Sequence, residues 1–138
     1  MSEKIMCMGE PFLYEHSSCS DLTPTMFNWT RDGDETDTVV CIDNAIIGMF
    51  DSEEVPERRF AWVSESPVVV PQVYEFVHEN YEVLLDYYEA ICTCDLELVD
   101  KHDRIHLVSS SSNLPWVKDF EIYEKTKNVS MVASNKTF

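Results

Sequence analysis

The stretch Phe60-Ala61-Trp62-Val63-Ser64-Glu65-Ser66-Pro67 decides how the rest of the chain reads. Its four leading apolar residues form a short run of the kind covered on both faces of a parallel sheet, and Pro67 then turns the backbone out of strand geometry. Glu65 is thereby delivered to the carboxyl edge of a sheet, where open α/β folds place their ligand clefts. A carboxylate so placed can act as a general base on a hydroxyl group that comes within hydrogen-bond reach.

Outward from this stretch, similar runs recur at 4–8, 38–42, 90–93 and 105–108, with a sixth at 129–133, each short and rich in Val, Ile, Met or Cys. Their alternation with helical and loop segments predicts an α/β fold with a Rossmann-like, mostly parallel sheet and helices on both faces. Pro71 suits a first helical turn, and Val73, Phe76 and Val77 share one face, so the spacing predicts a helix over 71–80. Periodicity leaves open whether it runs on through Tyr81, Leu84 and Tyr88. Asp95 is placed to cap a short helix carrying Leu96, Leu98 and Val99, and a further helix is expected over 119–126. The stretch 10–37, with Pro11, Pro24 and an acidic cluster at 32–37, reads as loop-rich, as does 109–115. No internal repeat divides the chain, so residues 1–138 read as a single α/β domain.

Composition excludes several functions. Twenty-six acidic residues against ten basic ones give a formal charge of −16, which repels a nucleic-acid backbone and suits a solubilising coat. The three glycines, Gly9, Gly33 and Gly48, fit neither the dinucleotide fingerprint nor the P-loop. No apolar run approaches the roughly 20 residues that cross a bilayer, and the start lacks a basic, apolar leader, so no membrane span and a cytoplasmic location are expected. The five cysteines form an odd set without scaffold spacing and read as reduced, buried thiols. Cys92 and Cys94 with His102 and His106 do not follow a standard zinc pattern, and Asp32-Gly33-Asp34 is a tripeptide that an acidic loop yields by chance, so no metal site is expected.

Three segments in order carry a resemblance. Phe60 to Pro67, then Ala90-Ile91-Cys92-Thr93 leading into Asp95-Leu96-Glu97-Leu98, then Ser130-Met131-Val132-Ala133-Ser134-Asn135-Lys136, resemble the N-terminal half of α1,3-fucosyltransferase-like glycosyltransferases, including relatives carried by phages and large viruses. The resemblance runs from Arg59 to the end of the chain. It implies a GT-B arrangement of two facing Rossmann-like halves, the first holding the acceptor sugar and the second a sugar nucleotide, here a GDP-sugar. In that family a glutamate matching Glu65 is the base that deprotonates the acceptor hydroxyl as it attacks the anomeric carbon with inversion. The segment matching Ser134, Asn135 and Lys136 leads toward a basic residue at the donor diphosphate, which implies that these three bind substrate. Trp116, beside the loop at 109–115, suits stacking on a sugar ring.

The partners expected on this reading are a glycan acceptor and a complementary C-terminal half, and the chain by itself should not turn over substrate. A strand followed at once by the end of the chain further suggests a longer parent protein or a split subunit. The alternative is a stand-alone acidic α/β module that binds a protein partner, with Glu65 incidental and the sheet closed and well covered.

Overall fold

The apolar runs become strands because each alternates its side chains between two sides that both need cover. A computed structural model describes residues 3–9, 27–50, 52 and 56–108. The strands are β1 (Glu3–Met8), β2 (Phe27–Thr30), β3 (Thr38–Ile42), β4 (Arg58–Val63), β5 (Ala90–Thr93) and β6 (Ile105–Leu107), and the helices α1 (Asn44–Phe50), α2 (Pro71–Tyr87) and α3 (Leu96–Val99). All six strands are parallel and form one sheet in the order β2-β1-β3-β4-β5-β6. The fold is thus α/β with a Rossmann-like parallel sheet, as the sequence predicts. No described helix is long and apolar enough to cross a membrane.

Register sorts the side chains. Cys41 pairs with Ala61 and Ala61 with Ile91, which pairs in turn with Ile105, so one face carries Val39, Cys41, Ala61, Val63, Ile91 and Ile105. All of these belong to one buried cluster with Ile46 of α1, Val73, Val77 and Leu84 of α2, and Leu98 of α3. Fully burying a side chain such as Val, Ile or Leu contributes about 1.5–3 kcal/mol, so this face is the main source of stability. The opposite face presents Val40, Phe60, Trp62 and Cys92, half-buried around a hollow of about 240 Å³ that Trp29 also lines. Among the described residues, the helical cover lies on the first face. The helix expected over 119–126 and the strand at 129–133 fall outside the described residues.

One local reading changes and two are completed. The loop-rich stretch at 10–37 contains an edge strand, because Phe27-Asn28-Trp29-Thr30 carries the aromatic and β-branched residues that suit a strand while its polar members tolerate an edge. The acidic tripeptide Asp32-Gly33-Asp34 is a capped turn, with the Asp34 amide donating to Asp32 Oδ1 at 3.0 Å. The helix begun at Pro71 does run on, to Tyr87, since Leu84 and Leu85 extend the buried stripe of Val73, Tyr74 and Val77. Tyr88 then ties the end of α2 to α1 by donating its hydroxyl to the Ile46 carbonyl at 2.9 Å.

Sheet order places the site. From β3 the chain steps through α1, β4, α2, β5 and α3 to β6 in one direction across the sheet, whereas from β1 it steps the other way to β2. Neighbouring strands whose outgoing connections diverge leave a crevice beyond their carboxyl ends, and here those strands are β1 and β3.

Candidate functional site

The residues that follow β1, β3 and β4 build this crevice. Gly9 leaves β1 with φ +107°, and a Cβ there would sit 2.5 Å from the Ile42 carbonyl oxygen. Only glycine allows β1 to exit so close against the end of β3. Immediately after β3, Asp43 adopts φ 49°, in the left-handed region where Asp and Asn are tolerated better than most residues. That conformation lets its amide donate to the Trp62 carbonyl at 3.0 Å while its own carbonyl accepts from Ile46 in the first turn of α1 at 2.9 Å.

Asp43 is 4% exposed, and its carboxylate reaches sideways to the exit of β4. Oδ1 accepts from the Ser64 amide at 2.8 Å and from the Glu65 amide at 3.3 Å, and Oδ2 accepts from the Ser64 hydroxyl at 2.7 Å. On its other side, the Glu65 carbonyl accepts from the Tyr74 hydroxyl of α2 at 3.0 Å. Burial pushes the Tyr74 hydroxyl far up from its ordinary pKa, with the neighbouring Cys94 adding to the effect, so it remains a proton donor.

Above these supports lies a crevice of about 420 Å³ lined by Gly9, Asp43, Asn44 and Glu65, with Val69 and Val70 closing one wall. None of its described lining residues is basic. The Glu65 carboxylate is half-buried and makes no hydrogen bond or ion pair with the described residues. It is therefore open to a ligand, and the sequence-based placement of Glu65 at a cleft on the carboxyl edge agrees with this geometry.

A second crevice of about 350 Å³ lies on the far side of the Glu65 loop, lined by Pro67, Tyr74, Cys94, Asp95, Leu96 and Glu97. Of its two acids, Asp95 is already engaged. Asp95 Oδ1 accepts from the Glu97 amide at 2.9 Å, capping α3 as its sequence position predicts, and Oδ2 meets His78 Nε2 at 2.7 Å. Lys101 Nζ lies 3.2 Å from His78 Nδ1, and because an ammonium can only donate, Nδ1 accepts and the Nε2 proton goes to Asp95.

Of the expected site residues, Glu65 lies in the first crevice, whereas Trp116, Ser134, Asn135 and Lys136 fall outside the described residues. Trp62 sits half-buried on the second face of the sheet, away from Glu65. Asp43, Asn44 and Gly9 join the site without having been singled out for it. Ile42-Asp43 marks an acid at the end of a buried run, but nothing in that local sequence names the loop after β4 that the acid reaches.

Among the described residues, no group of three or more His, Cys, Asp or Glu is arranged to hold a metal ion. The described cysteines Cys7, Cys41, Cys92 and Cys94 are all free, and burial pushes the Cys7 and Cys41 thiols up to about 11, which makes them poor nucleophiles. Comparison with protein-family models, with curated proteins and with solved structures returns no match for this chain.

Proposed function

We propose that this domain binds an uncharged, hydroxyl-rich acceptor, a glycan, and forms the acceptor side of an inverting glycosyltransferase with Glu65 as general base. The observation that carries the reading is the Glu65 carboxylate, without a partner among the described residues, at a crevice where the sheet connections diverge. With two acids and no basic residue among its described lining, the crevice disfavours phosphate, while the Glu65 carboxylate can accept hydrogen bonds from hydroxyl groups, so the crevice favours the acceptor over a nucleotide. Glu65 would take the proton of the attacking hydroxyl, and that oxygen would form its bond to the anomeric carbon as the bond to the donor's diphosphate breaks. The GDP-sugar is assigned to a complementary half, and Ser134, Asn135, Lys136 and Trp116 keep their substrate-binding roles within the proposal. A cytoplasmic location belongs to the same reading, and free thiols suit a reducing compartment.

The test is titration of the labelled protein with neutral oligosaccharides and their phosphorylated counterparts, followed by nuclear magnetic resonance. The neutral series should perturb the Gly9, Asn44 and Glu65 amides, the phosphorylated series should bind more weakly, and Glu65→Gln should weaken the neutral series. Equal binding of both series, or none at these amides, would reject the reading. A second reading, docking of a protein partner, is favoured by Val68 at 76% and Leu96 at 63% exposure on the same edge of the sheet. It would gain from a titration in which no saccharide binds.

A further inference from the structure

We propose that Asp43 is a positioning residue, holding Glu65 through its main chain so that the Glu65 side chain enters the crevice in a fixed direction. The proposal rests on the reading of Glu65 as the reacting carboxylate. It starts from an imbalance between backbone and side chain at one residue. Both main-chain polar groups of Glu65 are held by side chains from other elements, the amide by Asp43 at 3.3 Å and the carbonyl by Tyr74 at 3.0 Å, while its own carboxylate has no partner among the described residues. A loop residue that needed only to turn the chain would satisfy its main chain with neighbours or water.

Asp43 has features that a mere loop support does not require. It is 4% exposed, and among the described residues every hydrogen bond accepted by its carboxylate comes from Ser64 or Glu65. It holds that place with φ 49°, a conformation that is rare outside glycine and costs free energy unless the surroundings compensate. Asp43 also does not spend its carboxylate on α1, although it immediately precedes that helix. The left-handed residue turns the side chain away from its own helix and toward β4, so the ends of two strands are tied together beneath Glu65. Ser64 adds the second arm, since its amide and hydroxyl occupy different carboxylate oxygens and thereby fix the carboxylate plane.

Amide hydrogen exchange and saccharide titration on the whole chain test the assignment. In Asp43→Ala the Ser64 and Glu65 amides should exchange about tenfold faster, as expected for a local opening. Affinity for the neutral saccharide should fall about tenfold, because a displaced contact group loses its alignment. Adding Glu65→Gln to Asp43→Ala should then cost nothing further, since both changes remove one contact. Asp43→Asn keeps an oxygen for the two amides and tolerates the left-handed conformation, so it should restore protection of both.

A variant that loses stability while Glu65 exchange and saccharide affinity stay at wild-type values would reduce Asp43 to a structural support and overturn the proposal. If Asp43→Ala does not fold, Ser64→Ala removes only the 2.7 Å bond and should move both readouts in the same direction, and unchanged readouts there would overturn it equally. A wild-type protein that binds no saccharide defeats the sugar reading alone, because exchange at Glu65 still decides whether the clamp exists.

Discussion

Asp43 and Asp95 both follow the carboxyl end of a parallel strand and both precede a short helix, yet their carboxylates do opposite things. Asp95 turns back on its own segment, caps α3 through the Glu97 amide and pairs with His78 of α2. The Asp43 carboxylate crosses to the next strand, where it accepts from Ser64 and Glu65 more than twenty residues further on. The backbone at the two positions explains the difference. Asp95 has φ −83° and ψ 108°, the extended geometry of a helix cap, whereas Asp43 has φ 49°. A strand-end acid in cap geometry is consumed locally and finishes a helix, while one in left-handed geometry can brace a neighbouring loop and shape a crevice.

The largest effect expected from breaking this contrast is loss of stability in Asp43→Ala. It leaves the Ser64 amide, the Glu65 amide and the Ser64 hydroxyl without their acceptor in a part-buried place, at a cost of about 2–4 kcal/mol. Urea unfolding measures it, and Asp43→Asn should recover most of the loss. Asp95→Ala loses a cap and a part-buried pairing, for about 1 kcal/mol. Equal destabilisation by the two alanine variants would erase the distinction between clamp and cap. Gly9→Ala falls between them at about 2 kcal/mol, from positive φ and from a Cβ only 2.5 Å from the Ile42 oxygen. It sharpens the comparison, because it deforms the β1 wall of the crevice while both carboxylates keep their partners, and thermal unfolding reads it directly.

How far each region was legible follows the same division. Asp95 was readable because a cap, its helix and the preceding strand lie within ten residues, from Ala90 to Val99. The strands and the position of Glu65 were readable for a related reason, since apolar runs and Pro67 act on their immediate neighbours. Asp43 was not, because its role depends on β3 and β4 lying side by side in the register that pairs Ile42 with Trp62. The edge strand Phe27–Thr30 escaped because half of its residues are polar and it borders β1 alone. The short α1, with Gly48 inside it and one fully buried residue, Ile46, offers too little periodicity to announce itself.

The smallest expected effect separates the charge of Asp95 from its capping oxygen. Partial burial pushes the Asp95 carboxyl up, but hydrogen bonds from His78 and from the Glu97 and Leu98 amides outweigh it and hold the group below the usual carboxylate range. A carboxyl with a lower pKa in the folded than in the unfolded chain adds stability that is fully present above the unfolded value, about 3.9, and is lost as pH falls through the folded value. Asp95→Asn keeps the cap, because asparagine caps helices as well as aspartate, but it removes the charge. The difference in unfolding free energy between wild type and this variant should therefore shrink as pH falls below about 4. A difference that instead grew on acidification would mean that the folded protein favours the protonated acid, and the His78 contact would then not be what fixes this carboxylate in place.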